Sequence, residues 1–248
     1  MSMKVSVITP YWSGNTQSDI LRCIESVRNQ TVPCKHYMVL DGPASCQCST
    51  DFDVARHIIL GEQQNNYGNT PRGIGALLAV SEGADAVTFL DADNLYDPDH
   101  VETCVALAQK TPGVDFIVAR RRIVLPDGTP VPGADEPIDK HVDTSCFFLL
   151  PGAYHVIPQQ VLQPRQLCTV SDRLFLAALE GLRATVTDHV TVTYRSKWRV
   201  HYEAAGAEPP SDAQGTIYMD KLMGWWRGLP PLERVIKLRH LGLKRLWW

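Results

Sequence analysis

Hydrophobic positions follow two alternating periods along the first half of the chain. Short, mostly apolar runs predict β-strands at residues 4–9, 36–40, 56–60, 86–90 and 115–121. Between them, apolar side chains recur every three or four positions, which predicts helices at residues 19–29, 75–82 and 97–109. Asp97 is the predicted N-cap of the third helix, with Pro98 in its first turn. This alternation predicts an α/β domain with a mostly parallel central sheet flanked by helices.

The second half of the chain is less regular. Its predicted elements are a strand at residues 146–150, a helix at 172–179, a strand at 184–194 and helices at 216–226 and 231–247. Pro209-Pro210-Ser211-Asp212 predicts a linker before the last two helices. We therefore predict a domain of residues 1–205 and a C-terminal helical extension of residues 206–248.

An acidic motif, Asp91-Ala92-Asp93, follows the buried strand at 86–90. Side chains alternate along an extended chain, so both carboxylates lie on one side and suit Mg²⁺ or Mn²⁺ that also holds a diphosphate. Thr9-Pro10-Tyr11 and Asp41-Gly42 end two other predicted strands, and ligands of parallel sheets bind beyond such ends. The motif therefore predicts a divalent-metal site, and a polar turn without a ligand is the alternative.

Composition narrows the class of protein. The 248 residues carry a net charge of −3, which argues against a nucleic-acid partner. Among the seven cysteines, Cys46-Gln47-Cys48 lacks the spacing and the second pair of a zinc site, so we interpret it as a loop feature. We find neither a secretory signal nor an apolar run long enough to span a bilayer, and we expect a cytoplasmic protein with reduced thiols.

Five sequence blocks together resemble the family 2 glycosyltransferases, which have the GT-A fold. The blocks VSVITPY, CIESVRNQT, VLDG, GNTPRGIG and FLDADN occupy residues 5–11, 23–31, 39–42, 68–75 and 89–94. The resemblance covers roughly residues 4–200 and implies transfer of a sugar from a nucleotide-diphosphate donor.

The resemblance also implies roles for the matching positions. The residues expected to bind the nucleotide are Thr9, Pro10, Tyr11, Asp41, Arg72, Asp91 and Ala92. Asp93 is expected to ligate the metal directly, and Asp91 to contact the ribose or a metal-bound water. His201 is a candidate for a further metal ligand, because some enzymes of this fold supply a late histidine. A structural or solvated histidine is the alternative. For Tyr11 and Arg72, a cover for the sheet edge and a solvated helix residue are the alternatives.

An inverting enzyme of this class needs a base that deprotonates the acceptor hydroxyl. Members of the family commonly place it at the start of a helix, and Asp172 matches that place, with Ser171 where an acid is frequent. A carboxylate that only interacts with the helix dipole is the alternative. Asp143 is the reserve candidate for the base, or a contact of a substrate sugar. We interpret Arg120-Arg121-Arg122 as a solvated charge run, and the alternative is that two of the three face the site.

The C-terminal residues combine basic and apolar side chains. Residues 232–248 contain five Lys or Arg and one acid, and they end in Trp247-Trp248. A basic amphipathic helix of this kind is typical of a membrane-surface anchor. The alternative is a helix that docks on its own domain or in a homodimer.

The combined expectation is a metal-dependent, inverting hexosyltransferase. It is expected to use a UDP-sugar, with Mn²⁺ or Mg²⁺ as the cofactor, and a glycan or lipid-linked acceptor. Peripheral contact with the inner face of a membrane would suit a lipid-linked acceptor. A sugar-phosphate nucleotidyltransferase and a non-catalytic nucleotide-sugar-binding module are the alternatives.

Overall fold

A computed structural model describes residues 3–43, 52, 54–133, 141–215, 217 and 219–246. Within these residues, eight strands form one sheet. In chain order they are β1 (Val5–Tyr11), β2 (Cys34–Leu40), β3 (Arg56–Ile59), β4 (Ala86–Phe89), β5 (Leu95–Tyr96), β6 (Phe116–Val124), β7 (Phe147–Leu149) and β8 (Ala184–Arg195). Their order across the sheet is β3-β2-β1-β4-β7-β6-β8-β5.

Parallel pairing dominates the sheet. β3, β2, β1 and β4 are parallel neighbours, and β6 is parallel to β8. β7 is antiparallel to both β4 and β6, and β5 is antiparallel to β8. The prediction of an α/β domain with a mostly parallel sheet is therefore confirmed. The strand β5 was not predicted, because two residues are too few to show a period.

Helices flank this sheet, as predicted. Those in the described residues are α1 (Gln17–Arg28), α2 (Asn69–Ser81), α3 (His100–Lys110), α4 (Pro158–Leu162), α5 (Ser171–Ala178), α6 (Arg199–Ala204), α7 (Met219–Gly228) and α8 (Pro231–His240). Short 3-10 turns lie at Thr144–Cys146, Pro151–Val156 and Arg165–Val170.

The core fixes α5 against the sheet. The ring of Phe175, in α5, packs edge-on against Phe89 at a centroid distance of 6.0 Å and against Phe147 at 5.2 Å. All three side chains are fully buried. Because Phe89 ends β4, this packing holds α5 against the end of the central strand.

Two glycines allow α2 to approach the sheet closely. Gly68 has a φ of 76°, and a Cβ there would lie 2.9 Å from the Cβ of Pro10. At Gly75, a Cβ would lie 2.7 Å from Cγ2 of Ile8. Larger residues would push the helix away from β1, so these glycines set the position of Arg72 in its first turn.

The predicted N-cap of α3 is wrong. The helix begins at His100, two residues later than Pro98 suggested. The chain is still extended at β5, and the Asp97 carboxylate pairs with Arg122 on β6 instead of capping a helix. An ion pair to β6, which lies beyond β8 in the sheet, has therefore replaced the local capping interaction.

The C-terminal helices pack against the segment that leads into α5. Leu241, which follows α8, is fully buried with Leu167, Val170 and Leu174. Docking of this extension on its own domain, which was the alternative to a membrane anchor, is thus observed for Leu241. Among the described helices, none has both the length and the apolar character needed to cross a membrane. Cys46, Cys48 and the two terminal tryptophans lie outside the described residues.

Candidate active site

A cleft of about 510 Å³ lies where β1, β2 and β4 end. The polar clusters at the ends of the strands were predicted to lie at this edge of the sheet. The cleft brings together nine of the predicted site residues: Pro10, Tyr11, Asp41, Arg72, Asp91, Ala92, Asp93, Asp143 and Asp172. Residues that are far apart in the sequence thus share one concave surface, as parallel strands require.

Two predicted site residues do not line the cleft. Thr9 is buried inside the sheet, where its Oγ1 lies 2.8 Å from Nε2 of His36. His201 lies in α6, and its Nδ1 is 2.5 Å from Oγ of Ser196. Its ring packs edge-on against Tyr194, with the ring centroids 6.5 Å apart. The geometry therefore gives no support to His201 as a metal ligand or to a nucleotide contact by the Thr9 side chain.

The Asp91-Ala92-Asp93 motif is held between two cations. Arg72 donates from Nη2 to Oδ1 of Asp91 at 2.5 Å, and its side chain is only 3% exposed. Lys197 lies with Nζ 3.2 Å from Oδ2 of Asp93. Burial raises the pKa of Asp93, the neighbouring Asp91 raises it further, and Lys197 opposes both. Arg72 is thus a buried part of the site, not a solvated helix residue.

Asp143 adds a third carboxylate to this side of the cleft. Its Oδ1 accepts the backbone N–H of Ser145 at 2.9 Å, which caps the 3-10 turn Thr144–Cys146. Burial raises the pKa of Asp143 to about 6, and Asp91 contributes in the same direction. The cleft therefore carries a concentration of negative charge that its own cations only partly offset.

Asp172 enters the cleft from the first turn of α5. Its Oδ2 lies 2.5 Å from Nε2 of His141, and its Oδ1 accepts the backbone N–H of Arg173 at 2.7 Å. His141 was not predicted as a site residue, because it belongs to no recognisable motif. Only the fold brings it to Asp172.

Asp41 anchors the loop that precedes α2. Its two carboxylate oxygens accept the backbone N–H groups of Gln64 and Asn65, at 2.7 and 3.0 Å. Asn65 and Tyr67 in this loop have positive φ angles of 50° and 57°. The carboxylate thus shapes the rim of the cleft, and its role as a direct nucleotide contact stays a prediction.

Aromatic side chains surround the end of β1. The hydroxyl of Tyr11 lies 2.5 Å from Nε2 of His57, and the two rings are stacked at 5.8 Å. Trp12 and Tyr67 line the mouth of the cleft and are 50% and 61% exposed. Both adjoin sequence blocks that suggested the site, but the pattern did not single them out.

The interpretation of Arg120-Arg121-Arg122 as a solvated run is wrong for its middle residue. β6 continues through all three, so successive side chains point to opposite faces. Arg120 and Arg122 are exposed, whereas Arg121 is half-buried and lies over the ring of Tyr194, 5.9 Å from its centroid. A strand longer than predicted thus brings one guanidinium into the interior beside the cleft.

A model of the family described as "Glycosyl transferase family 2" matches residues 6–154, and the chain belongs to this family. The protein is therefore a glycosyltransferase, and its sheet and helices form the GT-A fold. No curated protein sequence matches the chain.

Solved structures of TarS from S. aureus share the fold at 16% sequence identity. Residues 1–349 of TarS in complex with UDP match with a TM-score of 0.55, over 96% of this chain and 70% of that chain. The complex with UDP-GlcNAc gives 0.52 over 96% and 70%. A further TarS structure gives 0.57 over 96% and 42%.

Proposed function

We propose that the protein is a metal-dependent, inverting glycosyltransferase that uses a UDP-sugar donor. The observation that carries this proposal is the shared cleft, in which Asp91, Asp93 and Arg72 lie with Asp172 at the start of α5. Asp91, Asp93 and Arg72 suit a nucleotide diphosphate with a bound metal ion. Asp172 suits deprotonation of an acceptor hydroxyl. TarS structures with UDP and UDP-GlcNAc support the choice of donor.

The carboxylates at the end of β4 fit a divalent cation. Asp91 and Asp93 offer hard oxygen ligands, and the raised pKa of Asp93 reflects burial and repulsion by Asp91 that a cation would relieve. Within the described part of the chain, no group of three or more His, Cys, Asp or Glu is arranged to hold a metal. A site with one or two carboxylates, completed by substrate phosphates, is the usual arrangement for Mg²⁺. When bound, the cation supplies positive charge to the departing diphosphate.

The protein's own residues divide the remaining work. Arg72 is fixed by Asn69, whose Oδ1 accepts from its Nη1 at 3.0 Å, and its charge stays beside Asp91 where the diphosphate is expected. Asp172 takes the proton of the acceptor hydroxyl as that oxygen attacks the sugar. Trp12 and Tyr67 offer exposed ring faces at the mouth of the cleft, and these suit packing against a nucleotide base or a sugar ring.

A donor panel with matched variants tests this function. We expect the wild type to release UDP from one UDP-sugar in a Mn²⁺-dependent manner. Asp172→Asn should lower turnover by about 10²- to 10⁴-fold and leave UDP affinity unchanged, because the base acts only on the acceptor. Asp220→Asn removes the first-turn acid of α7 and is the control for a helix-dipole effect. Unchanged turnover in Asp172→Asn would refute the assignment of the base.

The same panel separates the enzyme from a non-catalytic binding module. Such a module would bind UDP but would release none from any donor, with or without Mn²⁺. Because the chain belongs to glycosyl transferase family 2, we do not propose the alternative of a sugar-phosphate nucleotidyltransferase.

We also propose that α8 contacts an anionic membrane surface, which suits a lipid-linked acceptor. Leu232, Val235 and Ile236 lie on its outward face and are 72%, 46% and 42% exposed. The exposed side chains of Lys244 and Arg245 follow shortly after the helix. Aliphatic side chains beside basic ones match a headgroup layer that is negatively charged and overlies an apolar interior. A second copy of the chain is the competing occupant of this face.

A further inference from the structure

His141 connects the proposed base to the interior of the domain. Its Nε2 lies 2.5 Å from Oδ2 of Asp172, while its Nδ1 lies 3.3 Å from Nη2 of Arg121. Asp172 belongs to α5 and Arg121 to β6, so one imidazole spans two elements on one side of the cleft.

The contact with Arg121 defines the role of each ring nitrogen. A guanidinium has N–H donors and no acceptor, so Nδ1 of His141 accepts from Arg121. The neutral imidazole then carries its proton on Nε2 and donates it to Oδ2 of Asp172. Arg121 is itself held by attraction to the buried Asp143 and by the ring of Tyr194. Arg121 therefore determines that Nε2 of His141 is the nitrogen that donates to Asp172.

Both oxygens of the Asp172 carboxylate are held by hydrogen bonds. Oδ2 accepts from His141, and Oδ1 accepts the backbone N–H of Arg173. A carboxylate has about four lone-pair sites, so each oxygen keeps one for the acceptor hydroxyl. Two hydrogen bonds of fixed direction restrict rotation of the Asp172 side chain, which is 24% exposed and would otherwise sample several rotamers.

We propose that His141 is a positioning residue that orients Asp172 for proton transfer. The proposal rests on the proposed function, because it concerns the base of that reaction. His141 does not line the cleft, so its contribution is expected to fall on turnover and not on nucleotide binding.

Two substitutions at His141 test this role. His141→Phe keeps a planar ring and removes both nitrogens, and it should lower the kcat of Mn²⁺-dependent UDP release by about 10- to 100-fold, the range for a hydrogen bond to a charged group. His141→Gln places an amide N–H near the position of Nε2, and its kcat should stay within about threefold of the wild type. The affinity for UDP with Mn²⁺, measured by calorimetric titration, should be unchanged in both variants.

A double-mutant cycle distinguishes orientation from general damage to the fold. On an Asp172→Asn background, His141→Phe should cause no further loss, whereas independent structural effects would multiply. His189 forms a comparable pair with Asp99, 3.2 Å apart on the surface, and His189→Phe is the matched control. Wild-type kcat in His141→Phe, multiplicative effects in the cycle, or no rescue by glutamine would each overturn the proposal. Absence of UDP release from the wild type itself would instead count against the proposed function.

Discussion

At the level of single residues, the cleft contains carboxylates that lie close enough to repel one another. Burial raises the pKa of Asp93 and of Asp143, and the nearby carboxylate of Asp91 raises both further. Such groups are costly without a ligand and are typical of sites whose function needs the charge. We therefore expect this repulsion to lower the free energy of unfolding when the carboxylates are ionised.

Asp143 gives this repulsion a measurable pH dependence. Its pKa is raised from 3.8 to about 6, so the folded state holds its proton more tightly than the unfolded state between these values. The free energy of unfolding should therefore fall as the pH rises through this window, by about 1–3 kcal/mol from this group. Urea denaturation at pH 4, 5 and 6 in metal-free buffer measures the slope. Asp143→Asn should flatten it, and an equal slope in both proteins would contradict the pKa shift.

At the scale of elements, the position of α2 determines where Arg72 meets Asp91. In Gly75→Ala, the added methyl would lie 2.7 Å from Cγ2 of Ile8 and 2.9 Å from Cγ2 of Val39. We expect a loss of about 1–3 kcal/mol from overpacking, with weaker UDP binding because the helix moves.

Gly224→Ala is the control for this substitution. Gly224 lies in α7, where a Cβ would meet nothing within 4 Å, so the change should be neutral or stabilising by up to about 1 kcal/mol. Denaturation and UDP titration of both variants measure the difference. Equal effects at the two glycines would show that α2 is not held by close packing.

The elements also show how far the sequence predicts this structure. The strand before Asp91 and the helix at Asp172 could be predicted because the hydrophobic period is a local property of the sequence. Local signals also placed Asp91, Asp41 and Tyr11 at one edge of a parallel sheet. Whether a pair such as His141 and Asp172 forms depends on packing between distant elements, and no local pattern encodes it. The false N-cap at Asp97 has the same cause, because Arg122 from another strand competed for the carboxylate.

At the scale of the whole molecule, the C-terminal extension has two faces. Its inner face contributes Leu241 to the packing behind α5, so removal of residues 229–248 would disturb the helix that carries Asp172. The outer face of α8 makes no such contribution at Leu232, Val235 and Ile236, which are exposed. Point substitutions on the outer face therefore test membrane binding more cleanly than truncation.

A vesicle-flotation assay tests the outer face. The wild type should float with vesicles that contain phosphatidylserine and should stay at the bottom with phosphatidylcholine alone. Combined substitution of Leu232, Val235 and Ile236 by serine should abolish flotation and leave UDP affinity unchanged. Equal flotation of both proteins would exclude this face as the contact. A change from dimer to monomer in the triple variant would indicate a second copy instead.

The carboxylates after β4 are proposed to hold a metal together with a nucleotide diphosphate. This site can be measured by calorimetric titration of UDP into the wild type and Asp93→Asn, with and without Mn²⁺. Mn²⁺ should tighten UDP binding to the wild type by about tenfold or more, and Asp93→Asn should lose this increment. Asp212→Asn, at an exposed position outside the cleft, should keep it. Mn²⁺-dependent UDP binding of wild-type strength in Asp93→Asn would exclude Asp93 as a metal ligand.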